Sequence, residues 1–284
     1  MTDWLAKKRV FAAALIAVAA VTAVVLTIGP GGGGASRAQL TVDVPPATTD
    51  RIYGAAAAAG RPIVVIDAGH GGRDPGATSV SGQVAEKDLA LAFARELKDK
   101  LVERGRLRVA LTREDDRYLS LEQRAAIARG LRASLFLSVH TDSAPNPLAR
   151  GASIYSLSDV ASDAGAARFA TLENRGALAL GESNGSVRAI LSDLAMRSEM
   201  SASADFAGRL VRKSAGRFEL RPEPHRFAAF HVLRRAQTPA VLFEAGYISN
   251  VDDEALLRSP VHRKEIVLAL AQAIEADIAA RTLR

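Results

Sequence analysis

The chain has 284 residues, of which 48% are hydrophobic, and its formal net charge is +6 at pH 7. This length and apolar content suffice for one large domain or two small ones with a real core, which excludes a disordered protein. The chain contains no cysteine. Disulfide frameworks and thiolate metal sites are therefore excluded, and any metal must be held by nitrogen and oxygen atoms.

The first 38 residues differ in composition from the rest. Lys7, Lys8 and Arg9 precede an uninterrupted apolar stretch at 11–28, a pattern typical of an export signal or a membrane anchor. The length of the stretch lies between that of a cleaved signal and that of a spanning helix, so both alternatives stay open. In either case the pattern predicts an exported protein of the periplasm or cell envelope, and a retained segment would be its only attachment to the membrane.

Without that segment the net charge falls to +3, because it contains four of the 37 basic residues and one of the 31 acidic ones. The exported part is thus only mildly basic, and no basic stripe is interleaved with aromatic residues, so nucleic-acid binding is not expected. An anionic polymer outside the cytoplasm is compatible with this charge. Residues 39–60 lack a stable period and are interpreted as a linker to a folded unit at 61–284.

Apolar runs and helical periods alternate in the first part of this unit. In chain order we predict a strand at 63–67, a helix at 86–104, a strand at 107–112, a helix at 120–131, and strands at 135–140 and 152–156. Ser120 and Gln123 form a capping-box pattern at the start of the second helix.

The region at 158–203 breaks this rhythm, and its weak helical patterns indicate a helical insertion at the edge of the sheet. Beyond it we predict a helix at 202–215, an edge strand at 227–233, a buried strand at 240–244 and a closing helix at 260–282. The alternation predicts an α/β fold, that is, a single catalytic domain with a mostly parallel central sheet and helices on both faces, plus the insertion.

Three predicted strands lead into side chains that bind metals or transfer protons. His70 lies in a glycine-rich loop after the first strand, His140 ends the strand at 135–140, and Glu244 ends the strand at 240–244. Glu86 opens the first helix. Because the carboxyl ends of parallel strands meet at one edge of a sheet, we expect these groups to gather there. Two imidazoles and two carboxylates are the residue set of a catalytic zinc hydrolase, in which two histidines and one carboxylate hold the metal, a fourth position is left for water, and the other carboxylate transfers protons.

Each of these residues has a simpler interpretation when it is taken alone. His70 could bond the backbone of its own turn, His140 could be a buried core histidine, and Glu86 is an acid favoured by the helix dipole. Glu244 is harder to explain in this way, because a carboxylate that ends an apolar strand needs a cation or hydrogen bonds to stay charged. Spacing alone does not decide which glutamate binds the metal and which one moves protons.

Several ordered motifs at 61–284 resemble one known family. They are the loop Ile66–Ala77, Glu86 with Lys87, Arg113 with Asp116, Leu121 and Arg124, the strand end Ser138–Asp142, and Val241–Asn250. These motifs resemble the zinc-dependent N-acetylmuramoyl-L-alanine amidases of the cell-wall amidase 3 type. The resemblance implies that His70, Glu86 and His140 bind Zn²⁺ and that Glu244 is the catalytic acid and base. It also implies cleavage of peptidoglycan between the lactyl group of muramic acid and the L-alanine of the stem peptide, for cell-wall remodelling and daughter-cell separation.

The resemblance extends to the insertion at 158–203. Gram-negative cell-separation amidases carry a helical segment at this place, and it covers the site until a periplasmic activator protein moves it. We therefore expect an acidic side chain of the insertion, with Glu182 and Asp193 as candidates, to occupy the open zinc position. The alternative is an insertion that binds substrate or only packs.

Two other functions stay open on the sequence alone. A zinc peptidase or carboxypeptidase acting on wall peptides would use the same ligands, because they suit any amide. A non-catalytic wall-binding protein that has kept the fold is the second alternative, and the presence of His70, Glu86, His140 and Glu244 together argues against it.

Overall fold

The central element of the structure is a six-stranded sheet. Its strands are β1 (Ile63–Ala68), β2 (Arg108–Leu111), β3 (Leu135–Asp142), β4 (Ala152–Leu157), β5 (Leu220–Ala228) and β6 (Ala240–Tyr247). They are ordered β2-β1-β3-β6-β4-β5. Only β4 and β6 pair antiparallel, and the other neighbouring strands are parallel, so the predicted mostly parallel sheet is confirmed.

The structure is a computed structural model that describes residues 51–55, 58–175 and 187–283. The export segment predicted at 1–38 therefore lies outside the described residues. Part of the predicted linker packs on the sheet, because Tyr53 forms an antiparallel bridge with Val109 of β2 through hydrogen bonds of 2.7 and 2.9 Å. No helix in the described part of the chain combines the length and apolarity needed to span a membrane.

Helices cover both faces of the sheet, as predicted. Within the described ranges they are α1 (Glu86–Arg104), α2 (Leu121–Gly130), α3 (Ala164–Glu173), α4 (Val187–Ser214), α5 (His231–Ala236), α6 (Val251–Arg258) and α7 (Pro260–Thr282). Apolar side chains of α1, α4 and α7 form the core on one face. Side chains of α2, α3 and α5 form a second core on the other face.

Local sequence determines the ends of several helices. In α1 the buried Leu89, Phe93 and Leu97 recur every four residues and line one stripe. The helix ends at Gly105, whose left-handed backbone (φ 65°) directs its N–H to carbonyls of the last turn. At the start of α2 both hydrogen bonds of the predicted capping box are present between Ser120 and Gln123.

The edge strand predicted at 227–233 is wrong. The chain forms β5 earlier, at Leu220–Ala228, and then turns into the short helix α5. Pro222 and Pro224 in β5 resemble strand breakers in the sequence. They are tolerated because β5 pairs only with β4, so its other side needs no backbone donor. The helix predicted at 202–215 is the second half of a longer helix, α4, which begins at Val187 within the predicted insertion, and α6 was not predicted.

Candidate metal centre

The register of the sheet brings the predicted residues together at the carboxyl ends of β1, β3 and β6. His140 in β3 is paired with Glu244 in β6, and Asp67 in β1 is paired with Ser138 in β3. Because side chains alternate along a strand, these four share the face of the sheet that α2, α3 and α5 cover. The site therefore lies between the sheet and the helices of that face.

Two buried arginines hold the loop that carries His70. Arg113 donates to the carbonyls of Ala68 and Gly69 at 2.9 and 2.8 Å. Arg124 donates to the carbonyls of Ala68 and His70, each at 2.6 Å. His70 has φ 57°, a left-handed conformation that is uncommon for a side-chain-bearing residue. The four hydrogen bonds keep it in this conformation and so fix the direction of its ring.

Two glycines of the loop make room for the cluster. A Cβ atom on Gly69 would lie 2.4 Å from the His140 ring, and one on Gly76 would lie 2.6 Å from a carboxylate oxygen of Glu86. Both distances are far below van der Waals contact. The glycine-rich motif is thus explained by the close approach of the loop backbone to the site.

His70, Glu86 and His140 form one cluster. The two imidazole rings are 5.0 Å apart between centroids and nearly perpendicular. One oxygen of the Glu86 carboxylate lies 3.0 Å from His140 Nδ1, and the other lies 3.2 Å from His70 Nε2. The three predicted ligands therefore meet at one point, as a shared metal ion requires.

Hydrogen bonds behind the cluster determine which ring nitrogens are free. His70 Nδ1 lies 3.0 Å from Asp74 Oδ2, and a carboxylate only accepts, so Nδ1 carries the proton. Ser138 Oγ donates to Asp67 Oδ2 at 2.7 Å, so this hydroxyl accepts from His140 Nε2 at 3.1 Å. The lone pairs of His70 Nε2 and His140 Nδ1 are thus left to face Glu86, the arrangement found around protein-bound metals.

The electrostatics of the cluster favour a bound cation. Burial raises the pKa of Glu244 well above its usual value, and nearby acids add to this shift. Burial likewise raises the pKa of Asp142 to about 7. For His70, burial lowers the pKa, but the charge of Glu86 and the Asp74 contact outweigh it and raise the pKa to about 11. The carboxylates therefore attract positive charge to His70, and a metal ion can supply that charge in place of a proton.

The residues present fit a divalent metal ion. His70 Nε2 is buried and has no hydrogen-bond partner among the described residues. Ligand atoms of His70, His140 and Glu173 lie within 4.8 Å of one another. Imidazole nitrogen and carboxylate oxygen are the donors that a thiol-free chain has for zinc and similar ions.

The acid that the insertion brings to the cluster is Glu173, which is neither of the predicted candidates. Its Oε2 atom lies 3.5 Å from His140 Nδ1 and 3.7 Å from His70 Nε2. Asp193 instead forms an exposed ion pair with Arg197 at 2.9 Å, and Glu182 lies outside the described residues. No spacing rule in the sequence indicated Glu173, because its position depends on how α3 docks.

Helix α3 is docked on the site by its side chains. The ring of Phe169 packs 5.3 Å from Tyr155 and 5.5 Å from Phe230. Asp163 at the start of the helix forms an ion pair with Arg226. Asn174, which follows the helix, accepts from the His231 N–H and donates to the carbonyl of Ala229, both at 2.8 Å. These contacts hold the last residue of α3, Glu173, beside the two imidazoles.

A cavity of about 810 Å³ adjoins the cluster. His70, Glu86, His140 and Glu173 all line it. Its walls also include the side chains of Arg73, Tyr118, Arg168, Phe169 and Arg175. A cavity of this size accepts part of a chain-like substrate beside the candidate metal centre.

Comparison with known proteins gives consistent matches. The family model of N-acetylmuramoyl-L-alanine amidases matches residues 64–276. The chain is 34% identical to the amidase AmiC of Neisseria meningitidis over 79% of its own length and 54% of the relative. It is 32% identical to the amidase AmiA of Escherichia coli, covering 76% of the chain and 75% of the relative. It thus spans about half the length of the first relative.

Solved structures are similar as well. The catalytic domain of CwlV, an N-acetylmuramoyl-L-alanine amidase from Bacillus (Paenibacillus) polymyxa var. colistinus, is 28% identical with a TM-score of 0.55. The match covers 76% of the present chain and 97% of that domain. AmiC2 of Nostoc punctiforme, at 24% identity and a TM-score of 0.55, supports the fold alone.

Proposed function

Because the chain belongs to the N-acetylmuramoyl-L-alanine amidase family, we propose that it hydrolyses peptidoglycan. The bond cleaved is the amide between the lactyl group of N-acetylmuramic acid and the L-alanine of the stem peptide. Such cleavage serves wall remodelling and the separation of daughter cells. Peptidoglycan lies outside the cytoplasmic membrane, so the proposal requires export of the protein to the cell envelope, in agreement with the signal or anchor predicted at 1–38.

We assign the metal ligands to His70, Glu86 and His140 and the metal to zinc. The support is the meeting of two lone-pair nitrogens at the Glu86 carboxylate. When bound, zinc polarises the substrate carbonyl and lowers the pKa of water. Asp74 and Ser138 orient the two imidazoles by accepting their other N–H groups.

The observation that carries the proposal is the environment of Glu244. Its side chain is fully buried, it is paired with His140 in the sheet, and neither carboxylate oxygen has a hydrogen-bond partner among the described residues. Such a carboxylate is costly to keep without a role in the chemistry. We assign to it the transfer of a proton from the attacking water to the departing nitrogen of L-alanine.

The products of wall digestion test this function. With zinc present, the protein is expected to release soluble glycan strands with free lactyl groups, together with intact stem peptides that begin with L-alanine. Removal of the metal with a chelator is expected to stop the release, and added zinc to restore it. Mass spectrometry of the products gives the answer. Shortened peptides would instead indicate a peptidase, and no soluble product under any condition would indicate a wall-binding protein.

We further propose that Glu173 holds the enzyme in a low-activity state. Its carboxylate lies within 3.7 Å of both imidazoles and competes there with water and substrate. An activator protein that displaces α3 would remove this carboxylate and open the cavity. The inhibitory part of the insertion is then the end of α3 rather than the exposed Asp193.

Replacing Glu173 by alanine is expected to raise basal activity on purified sacculi by roughly ten- to a hundredfold, the range for loss of one charged contact. Asp193→Asn is the matched control and is expected to leave the rate unchanged. A point substitution tests the idea better than deletion of residues 160–200, because deletion would uncover Tyr155 and Phe230. An unchanged rate in Glu173→Ala would indicate that α3 binds substrate or only packs.

A further inference from the structure

Arg73 lies in the same loop as His70 and lines the same cavity. Its guanidinium carbon is 4.4 Å from the centre of the Tyr118 ring. A guanidinium stacked on an aromatic face keeps its hydrogen-bond donors at its edge, where a planar anion can reach them. Arg73 is thus held with its donors available beside the candidate metal centre.

The position of Arg73 is fixed by the backbone before it. A Cβ atom on Gly71 would lie 2.3 Å from the carbonyl oxygen of Arg117, and one on Gly72 would lie 2.7 Å from the Tyr118 nitrogen. The loop is therefore packed directly against the segment that carries Tyr118. The same packing sets the distance of Arg73 from His70, which lies three residues earlier in the loop.

No carboxylate of the described residues pairs with Arg73. The acids beside Arg73 in its loop and beside Tyr118 in the neighbouring segment are all engaged elsewhere: Asp74 with His70, Glu114 with Arg51, Asp115 with Arg117 and Asp116 with Lys87. An arginine that lines a cavity and has no carboxylate partner within the protein can form its ion pair with a carboxylate of a bound ligand.

The other arginines of the cavity do not meet these conditions. Arg124 is buried and is bonded to Asp67 and to loop carbonyls. Arg168 lies on α3 and Arg175 follows it, so both would leave the cavity when α3 is displaced. Arg73 alone among these cavity-lining arginines both keeps its place relative to the metal cluster and lacks an acid.

We propose that Arg73, supported by Tyr118, binds a free carboxylate of the stem peptide close to the scissile amide. The planar guanidinium matches a carboxylate through two parallel hydrogen bonds. The inference rests on the proposed function, because that function places a peptide next to His70. It makes Arg73 the residue that selects peptides with a free carboxylate after the L-alanine over peptides in which that group is an amide.

The test uses two synthetic muramoyl-L-alanyl dipeptides that differ only in the second residue, which carries either a free carboxylate or a primary amide. The zinc-loaded chain is expected to favour the carboxylate form by about tenfold in kcat/KM. Arg73→Gln is expected to lose this preference by slowing only the carboxylate form. Arg73→Lys is expected to keep part of it. Arg212→Gln, an exposed arginine on α4, is the control and should discriminate like the wild type.

Equilibrium binding separates this inference from the proposed function. In a Glu244→Gln background, calorimetry with the same two dipeptides is expected to give an approximately tenfold difference in Kd, abolished by adding Arg73→Gln. Equal binding of both dipeptides would overturn the role of Arg73 even if the enzyme hydrolyses them. If Arg73→Gln weakens the binding of both dipeptides equally, Arg73 would have a structural role instead. If the Glu244→Gln protein binds the two dipeptides with different affinities but the wild type hydrolyses neither, the proposed hydrolase function would be overturned, while the carboxylate-binding role of Arg73 would stand.

Discussion

Replacing Glu244 by glutamine is expected to lower the rate of wall hydrolysis by about 10² to 10⁴, the range for loss of a general acid and base. Glutamine has nearly the same shape but cannot carry a proton to the departing nitrogen. Burial and neighbouring carboxylates raise the pKa of Glu244 well above its usual value, which favours its protonated form and so its ability to give a proton to the departing nitrogen. Dye release from labelled sacculi measures the effect.

The same variant distinguishes loss of chemistry from loss of structure. Glu244 has no hydrogen-bond partner among the described residues and lies near other acids. Removing its charge is therefore expected to leave the zinc content unchanged and the melting temperature equal or higher. Glu265→Gln, on the exposed side of α7, serves as the control for activity and stability. Full activity in Glu244→Gln would exclude the assigned role.

Replacing Asp67 by asparagine is expected to lower the free energy of unfolding by about 3–5 kcal/mol, because it removes one partner of a buried ion pair. The Asp67 carboxylate is buried and accepts from Arg124, Thr112 and Ser138 at 2.8, 2.6 and 2.7 Å. Asparagine leaves the buried guanidinium without its counter-charge. For a domain of this size the melting temperature should fall by roughly 10 °C. Asp99→Asn, an exposed acid of α1, is expected to change it little.

We expect Asp67 to act on the candidate metal centre as well, through its hydrogen bond with Ser138. In the variant, the Ser138 hydroxyl no longer has to donate its hydrogen to a carboxylate at position 67. It can then donate to His140 Nε2 instead of accepting from it, so the position of the proton on the His140 ring is no longer fixed. Zinc affinity is expected to fall roughly ten- to a hundredfold, as measured by competition with a metal indicator below the melting transition. Unchanged affinity in a folded Asp67→Asn protein would limit Asp67 to a role in stability.

The pH dependence of stability should carry the signature of Asp67. Burial raises its pKa, but Arg124 and the two hydroxyls outweigh this and lower the pKa below the usual value. A depressed folded-state pKa means that the stabilisation is complete above about pH 4 and is lost as the pH falls through the folded value. In Asp67→Asn this part of the acid denaturation profile should be absent.

The sequence was sufficient to predict those structural features that depend on residues close together in the chain. The four-residue repeat of α1 and its terminal Gly105 determine the helix locally, and its predicted bounds are those of the structure. The convergence of His70, His140 and Glu244 was also predictable, because parallel strands present their carboxyl ends on one edge. The capping box at Ser120 is a local signal of the same kind.

Features that depend on distant contacts were not predictable in this way. Glu173 reaches the imidazoles only because Phe169 packs on Tyr155 and Phe230, which come from two other parts of the chain. Strand β5 was missed for a similar reason. Its prolines exclude a central strand, and only the strand order shows that β5 is at an edge, where they are allowed.

The two arginines that donate to the carbonyls of the His70 loop bear on how a metal ion would be bound. Arg113 and Arg124 shape the loop with bonds of the polypeptide alone. A metal ion would then enter a preorganised site, unlike the zinc-finger case in which coordination drives folding. Exchange of one bound ion for another is therefore expected to proceed without unfolding of the domain.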